Sequence, residues 1–386
     1  MVESRSGRRS SPTSAPTEQP NRPMRYTEEF RDPKLAHSLL TRIRARSTRP
    51  VQLMEFCGGH THAIFRHGLR QMLPATVKLR SGPGCPVCVT ANSELDRALA
   101  LAEQPDLILT TFGDMLKVPG SHGSLQTAKA EGADVRLVYS TLDSLQMARQ
   151  NPDRPVVFLG VGFEATVPTV AAAILQAEAA DLRNFTVLSL HKLTPPATRA
   201  ILQAGEVNLA GIIGPGHVTT IIGSEAWEFL PREYGIPCAV AGFEPLDILQ
   251  AIATLVEMAE DGQAAVINAY SRSVRPEGNR VAQDIVSRVF EVSEADWRGL
   301  GCVPASGLAI RSEYARFDAS LVFSVDPGPP RDHRGCRCGE VLRGTVEPPE
   351  CPLFRRVCTP AHPIGPCMVS GEGACAAWYR YGEYWV

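Results

Sequence analysis

The segment VVFLGVGFEATVPTVAAAILQAEAADLRNFTVLSL, residues 156–190, predicts a strand, a helix and a second strand in succession. Residues 156–161 and 186–190 are short, apolar and rich in β-branched side chains, which is typical of buried strands. Residues 167–179 form a longer apolar stretch of helical length between them. Two strands joined by a helix pair in parallel, so this unit predicts a parallel sheet with helices packed on its faces.

The same alternation of strand and helix patterns recurs from about residue 25 onward. Further strands are predicted at 52–56, 77–80, 106–110, 135–139, 211–213 and 237–241, and further helices at 93–103, 142–149, 197–203 and 246–259. Eight strands suit either one TIM barrel or two doubly wound sheets, and we predict the two sheets. The expected fold class is therefore α/β, with two doubly wound parallel-sheet domains and a small cysteine-rich C-terminal domain.

Shifts in composition suggest where these domains begin and end. Residues 1–24 are polar and rich in Ser, Pro and Arg, which predicts a disordered N-terminal extension. We place the first α/β domain at 25–150 and the second at 151–270, with a break at the QNPDRP segment, residues 150–155. The remaining region, 271–386, holds seven of the chain's 11 cysteines, and six of these fall in the last 51 residues among many Gly and Pro residues.

Bulk composition argues against several classes of function. Hydrophobic residues make up 44% of the 386-residue chain and charged residues 21%, as in ordinary globular proteins. A formal net charge of −2 gives no electrostatic basis for binding nucleic acid. No apolar run of about 18 residues predicts a membrane span, and residues 1–24 lack a secretory signal. We therefore expect a cytoplasmic protein with reduced thiols, which favours metal or redox chemistry over structural disulfides.

Thiol, acidic and histidine side chains follow the predicted strands, at the point where each strand ends. Because ligand sites in open α/β sheets lie beyond the carboxyl ends of the strands, we expect these side chains to share one cleft. The set comprises Cys57, His60, Cys85, Cys88, Asp114, Glu164, His191, His217 and Glu244. The acidic residues and the later histidines could equally serve as helix caps, so the sequence does not rank their roles.

The CGGHTH motif, residues 57–62, places Cys57 on a Gly-rich turn that precedes a helix. Backbone N–H groups at a helix start lower the pKa of a nearby thiol, and His60 is close enough in sequence to reach the same ligand. The alternative is a buried cysteine in a turn, followed by two surface histidines.

The GPGCPVC motif, residues 82–88, contains a Cys-X-X-Cys pair between a strand and a helix. Such a pair forms a small disulfide ring and serves as a redox couple, which is the reading that we favour for Cys85 and Cys88. As an alternative, the two thiols could supply half of a zinc site, with Cys57 and His60 as the nearest further ligands.

The C-terminal cysteines form a third constellation. Four thiolates can hold either a [4Fe–4S] cluster or a tetrahedral zinc ion, and spacing alone does not separate these two. A first set of four is Cys336, Cys351, Cys358 and Cys375, which leaves Cys338 and Cys367 as a local pair beside it.

Together and in this order, these motifs resemble the hydrogenase maturation protein HypD family. The resemblance covers the chain from about residue 25 to its end. Its carriers are EFCGGHTH (55–62), RSGPGCPVCVT (80–90), GVGFEATVPT (160–169), IIGPGHV (212–218), VAGFEPLDIL (240–249) and the cysteine-bearing stretch 351–377.

The resemblance implies a maturation factor on which the Fe(CN)2CO unit of [NiFe]-hydrogenase is assembled. It implies two α/β domains, a C-terminal [4Fe–4S] domain, a HypC-type chaperone as partner and a HypE-type cyanide donor that works with HypF. Carried over by position, Cys57 would hold the iron that carries CN and CO, with His60 beside it, and Cys85 and Cys88 would be the redox pair. The cluster ligands would be Cys336, Cys351, Cys358 and Cys375.

Two other classes of function remain open at this stage. One is an iron–sulfur thiol/disulfide oxidoreductase that acts on a protein partner, and the other is a non-catalytic zinc-stabilised binding module. Cys57 and His60 separate the scaffold from the oxidoreductase, because a simple dithiol reductase has no need of an additional site.

Overall fold

The structure is a computed structural model that describes residues 28–382. The predicted disordered extension, residues 1–24, lies outside the described residues. Over the described part, eleven strands are found: β1 Val51–Glu55, β2 Val77–Ser81, β3 Ile108–Thr111, β4 Asp134–Leu137, β5 Val156–Gly160, β6 Phe185–Ser189, β7 Gly211–Pro215, β8 Cys238–Ala241, β9 Val266–Asn268, β10 Phe290–Trp297 and β11 Gly301–Ile310. All eight predicted strands are present, with ends within two residues of those expected.

Strands β1 to β9 build two parallel sheets, and β10 and β11 form an antiparallel hairpin. The five-stranded sheet has the order β2-β1-β7-β8-β9, and the four-stranded sheet has the order β4-β3-β5-β6. Both orders reverse direction part-way through the sheet, as doubly wound folds do. The predicted α/β class with two doubly wound sheets is confirmed, and the alternative of a single barrel is wrong.

The predicted break at residues 150–155 does not coincide with the division between the sheets. β3 pairs with β5 across that segment, so the four-stranded sheet is built from both predicted domains. The five-stranded sheet likewise takes β1 and β2 from the start of the chain and β7 to β9 from residues 211–268. A strand's apolar run shows that it is buried, but it does not say which strand lies beside it, which is why sequence placed the break wrongly.

Helices cover both sheets. The α-helices of the described chain are α1 Pro33–Arg46, α2 Gly58–Arg66, α3 Leu69–Met72, α4 Pro86–Val89, α5 Asn92–Ala102, α6 Leu125–Ala130, α7 Thr141–Gln150, α8 Val167–Ala179, α9 Thr194–Ala204, α10 Gly216–Ile222, α11 Pro245–Asp261, α12 Arg280–Val289, α13 Ala319–Val322, α14 Cys338–Leu342, α15 Pro366–Val369 and α16 Ala374–Tyr381. No helix within residues 28–382 is long and apolar enough to cross a membrane.

The two faces of the five-stranded sheet have different partners. On one face, Leu53 and Ile213 pack with apolar side chains of α1, α2 and α11. On the other face, Met54 and Ile212 share a core with Trp227 and with the cysteines of the C-terminal region. The cysteine-rich tail is therefore part of the main hydrophobic core and covers this sheet directly.

The hairpin of β10 and β11 was not predicted, because half of the residues of β10 are polar and β11 is interrupted by glycine, proline and serine, so neither strand shows a continuous run of large apolar side chains. It is anchored to the helical layer by the buried Lys192, whose ammonium donates to both oxygens of Glu94 (2.7 and 2.9 Å) and to the Asp296 carbonyl (2.6 Å). Its tip reaches the segment after α4, where Trp297 bridges to Thr90. The hairpin thus links the Cys-X-X-Cys loop to the second sheet.

The topology creates two points at which the strand order reverses, between β1 and β7 and between β3 and β5. Ligand crevices in doubly wound sheets open at the carboxyl ends of such neighbouring strands. Cys57 follows the end of β1, and Asp114 follows the end of β3. The fold therefore directs two of the predicted site residues to the positions where a ligand site is expected.

Candidate functional site

Cys57 occupies the strand-order reversal of the five-stranded sheet. It is half-buried, has extended backbone geometry and caps the start of α2 directly after β1. The loop of the Cys-X-X-Cys motif packs against it, and the Gly58 N–H donates to the Gly84 carbonyl at 2.8 Å. A Cβ at Gly84 would lie only 2.5 Å from Cys57 Cα, so only glycine allows this approach of the two loops.

The surroundings of the Cys57 thiol differ from the sequence-based expectation. Backbone N–H groups of Gly59 and His60 do face the sulfur and lower its pKa, as predicted from the start of a helix. Burial and the carboxylates of Glu372 and Glu55 outweigh them and raise the pKa of Cys57 to about 12. The prediction of a lowered pKa is therefore wrong, because the local motif did not reveal the burial of the thiol, which is the largest effect, or the approach of Glu372.

Glu55, the last residue of β1, is a buried carboxyl directly beneath the turn. It accepts the Cys57 N–H at 3.0 Å and the Thr61 hydroxyl, so it holds both ends of the first turn of α2. Burial raises the pKa of Glu55 to about 8, against the opposing effect of these hydrogen bonds. Sequence reasoning missed this residue, although a lone glutamate in a buried strand was a visible signal.

His60 is fully buried one turn along α2. Its Nε2 lies 2.9 Å from the Gly242 carbonyl and 3.2 Å from the Ala241 carbonyl, so it donates a proton to one or both. That assignment leaves Nδ1 as the acceptor, and Nδ1 has no hydrogen-bond partner among the described residues. Burial lowers the pKa of His60 to about 4, so the ring is neutral and its Nδ1 lone pair is free.

Phe243 joins His60 to a second predicted histidine. Its ring stacks on His60 at 4.9 Å between centroids and on His217, at the start of α10, at 3.9 Å. A Cβ at Gly59 would contact the same ring at 2.9 Å. The structure therefore brings His217 into the wall behind Cys57, where an aromatic ring separates it from His60.

Glu372 reaches the site from the C-terminal region. A Cβ at Gly58 would lie 2.5 Å from Glu372 Cβ, which places this glutamate directly over the first turn of α2. Burial and the nearby Asp114 raise the pKa of Glu372. Sequence reasoning missed Glu372, and the only available signal was its position between the last two cysteines of the tail. Asp114, a predicted site residue, is close enough to Glu372 to raise its pKa, and Glu372 in turn lies near Cys57.

Cys85 and Cys88 form a disulfide across the first turn of α4. Both sulfurs are buried, and they share a hydrophobic core with five of the tail cysteines, Cys338, Cys358, Cys367, Cys375 and the adjoining Cys336. The disulfide loop therefore contacts Cys57 on one side and the cysteine-rich tail on the other. A redox role for this pair stays a prediction.

All six tail cysteines line one small cavity of ≈ 20 Å³. Neighbouring thiols hydrogen-bond one another, and the sulfurs of Cys338 and Cys367 lie 2.8 Å apart. Cys358 Sγ accepts the Ile364 N–H at 3.3 Å. We call this set of six side chains the cysteine centre: Cys336, Cys338, Cys351, Cys358, Cys367 and Cys375.

The donor set of the cysteine centre fits an iron–sulfur cluster. Six convergent thiols exceed the four that such a cluster requires, and backbone N–H groups directed at cysteine sulfur are a recurring feature of iron–sulfur sites. Among the described residues, no group of three or more His, Cys, Asp or Glu side chains is spaced so that it could hold a metal ion. Which four of the six thiols would serve as ligands stays a prediction.

Three of the predicted cleft residues have other surroundings. Glu164 accepts the N–H of Thr194 at 2.7 Å at the start of α9, and burial raises the pKa of Glu164 to about 7. His191 is buried beside Ser189 at the end of β6, with 3.0 Å between Nδ1 and Oγ. Glu244 pairs with Arg31 at the start of α11. These contacts match the capping and structural alternative.

A comparison with models of protein families shows to which family the chain belongs. The HypD family model, described as "Hydrogenase formation hypA family", matches residues 34–382. The chain belongs to the HypD family. The resemblance found in the sequence motifs is therefore confirmed over nearly the whole chain.

Curated relatives of this HypD-family chain carry corresponding names. The hydrogenase expression/formation protein HupD of Azotobacter chroococcum mcd 1 is 50% identical over 369 residues, which cover 93% of this chain and 97% of the relative. The hydrogenase maturation factor HypD of Azotobacter vinelandii matches to the same extent, 50% over 369 residues with 93% and 97% covered. HypD of Escherichia coli K12 is 44% identical over 368 residues, covering 93% and 99%.

Proposed function

We propose that this protein is the scaffold on which the Fe(CN)2CO unit of [NiFe]-hydrogenase is assembled, together with a HypC-type chaperone. The observation that carries the proposal is the position of Cys57. Its thiol lies at a strand-order reversal, in contact with the disulfide loop and close to a carboxyl group of the tail. Membership of a family named for hydrogenase maturation supports the same role.

In this proposal Cys57 supplies a thiolate to the iron, which is the substrate being assembled. The N–H groups of Gly59 and His60 face the sulfur and stabilise its negative charge. The Nδ1 atom of His60, which has no hydrogen-bond partner among the described residues, is a second atom in the same wall that could coordinate the iron. Glu372 and Glu55 place oxygen donors around the thiol, so the site combines the ligand types that iron accepts.

The disulfide and the cysteine centre supply the redox part of the proposal. A [4Fe–4S] cluster, held by Cys336, Cys351, Cys358 and Cys375, would supply electrons one at a time. The Cys85–Cys88 pair exchanges two electrons and two protons as it opens to two thiols. Its burial in the same core as the cysteine centre supports a transfer between them that is shielded from solvent.

The partners in the proposal follow from the family. A maturation factor acts on another protein, and we infer a HypC-type chaperone that shares the iron with Cys57. A HypE-type protein, which works with HypF, would donate the cyanide groups.

An infrared spectrum of the anaerobically purified complex with its HypC-type chaperone tests the proposal. Bands in the cyanide and metal-carbonyl stretching regions should be present in the wild type and absent in Cys57→Ala. Cys302→Ala is the matched control, because Cys302 is exposed on the hairpin and its loss should leave the bands unchanged. Persistence of the bands in Cys57→Ala would refute iron binding at this thiol.

The formed disulfide also suits a second function, an iron–sulfur thiol/disulfide oxidoreductase. Under that function, a cluster-containing complex would show none of the diagnostic bands, and Cys57 would act as a third redox thiol. Cys88→Ser tests the redox role that both functions give to the pair, since it should leave iron and sulfide content intact while it stops electron transfer from the pair. A Cys88→Ser protein with full maturation activity would exclude any redox role for the disulfide.

A further inference from the structure

A cleft adjoins the cysteine centre. It has a volume of ≈ 470 Å³, and its wall includes Cys336, Arg337 and Cys338. The same three residues line the cavity of the cysteine centre, so the cleft is where that centre approaches solvent. We call it the arginine cleft, after its lining residues Arg298, Arg331, Arg337 and Arg343.

The charge of the arginine cleft is positive. Its two lining carboxylates are already engaged, since Asp332 pairs with Arg298 at 2.7 Å and Glu340 pairs with Arg337 at 2.6 Å. Arg331 is exposed, and no ion pair or hydrogen bond of its side chain is found within residues 28–382. The same holds for Arg334, three residues along the same loop. A chain with a net charge of −2 therefore carries a local excess of positive charge at this opening.

The loop that carries these arginines is held in place by its backbone. The Asn92 amide donates to the Arg331 carbonyl at 2.8 Å, and the Ser121 hydroxyl accepts the Arg331 N–H at 2.7 Å. Asp332 is fixed by its pair with Arg298. The side chains of Arg331 and Arg334 take no part in this anchoring, so they are free to contact a partner without disturbing the loop.

We propose that the arginine cleft docks an acidic one-electron carrier protein that reduces the cysteine centre. This inference rests on the proposed function, since it takes the centre to hold an iron–sulfur cluster. The fitting partner is a small iron–sulfur or flavin protein with Asp and Glu around its redox group, because opposite surface charges steer such encounters. Each encounter oxidises the carrier by one electron and reduces the centre by one. Two encounters and two protons from water convert the disulfide into two thiols.

The structural alternative is that the arginines only fasten the tail to the rest of the chain. Arg298 does so through Asn92 and Asp332, and Arg343 does so through Glu206 and the Gly299 carbonyl. For this reason neither is suitable for a test. Within residues 28–382, the side chains of Arg331 and Arg334 make no such contacts. Their replacement would therefore disturb docking and leave the fastening of the tail intact.

The test uses the double variant Arg331→Glu/Arg334→Glu of the full-length, cluster-containing protein. Anaerobic stopped-flow spectroscopy follows bleaching of the cluster by a reduced plant-type [2Fe–2S] ferredoxin, an acidic carrier, over a series of salt concentrations. Photoreduced deazaflavin, a neutral small reductant, provides the comparison. Arg149→Glu/Arg288→Glu is the matched control, because these exposed arginines lie on α7 and α12, which do not line the cleft.

Reversing two charges should slow reduction by the ferredoxin at low salt by about tenfold or more, and should weaken the salt dependence of the rate. Reduction by deazaflavin and the rates of the control variant should stay unchanged. Equal ferredoxin rates in the cleft variant and wild type would overturn the proposal, leaving the cleft a purely structural network. Iron and acid-labile sulfide content separates this result from failure of the proposed function: without a cluster, both proposals are refuted together.

Discussion

Replacing Gly84 with alanine tests whether the site depends on direct contact between the Cys57 turn and the disulfide loop. An added Cβ would lie 2.5 Å from Cys57 Cα, whereas ordinary contact begins at 3.4 Å. The two backbone segments would have to separate by about 1 Å. They are joined by hydrogen bonds from Gly58 to Gly84 and from Gly82 to Glu55, each 2.8 Å long, and the separation would stretch both.

From this geometry we expect Gly84→Ala to lower the free energy of unfolding by about 2–4 kcal/mol. Overpacking a tight contact costs about 1–3 kcal/mol, and weakening two backbone hydrogen bonds adds about 1 kcal/mol. Urea denaturation followed by circular dichroism measures the change. Gly113→Ala is the matched control after another strand, because its Cβ would meet nothing within 4 Å, and its effect should stay within about 0.5 kcal/mol.

The same variant has a functional readout. Because Gly84 places the disulfide loop against Cys57, the iron-bound cyanide and carbonyl bands should weaken in Gly84→Ala even at a temperature where the protein stays folded. Gly113→Ala should retain them. If Gly84→Ala proved as stable as Gly113→Ala and kept full band intensity, the argument that this glycine holds the two loops together would be refuted.

Two further predictions concern buried charged groups away from Cys57. Lys192→Met should cost about 3–5 kcal/mol in urea denaturation, because Lys192 is only 1% exposed and its loss leaves the Glu94 carboxylate without its partner. Adding Glu94→Gln should recover part of that loss, and a double variant as unstable as the single one would contradict this. Glu164 has a folded pKa raised to about 7 from 4.5, so its ionisation destabilises the fold as pH rises across that interval. Glu164→Gln should therefore be more stable than wild type near pH 8, by up to about 3 kcal/mol, but not near pH 4; equal stability at both would refute the shift.

Eight of the eleven strands and five of the helices in the described part of the chain were predictable because their signals are local. A strand buried on both faces needs an uninterrupted apolar run, and residues 156–161 show one without reference to any other part of the chain. The turn after each strand is equally local, so Cys57 and the Cys85–Cys88 pair were placed correctly at strand ends. The pairing of β3 with β5 was not predictable, because it depends on contacts between segments far apart in sequence.

The chemical surroundings of Cys57 show the same division. The sequence contained the start of α2, and the N–H groups of Gly59 and His60 do face the sulfur. It did not reveal that Glu372, more than 300 residues away, folds over the same turn and helps to reverse the direction of the pKa shift. Electrostatic shifts depend on distance in space, which a local motif does not record.

By itself, the sequence determined the α/β class, the positions of the thiol motifs and membership of the HypD family. Each of these depends on residue types and spacing along the chain. Only the tertiary structure decided that all six tail cysteines converge, that the disulfide lies between them and Cys57, and that four arginines line the arginine cleft. The physical reason is that burial and electrostatic interactions depend on contacts between segments that are far apart in the sequence. A local stretch of residues does not show which distant segment will pack against it.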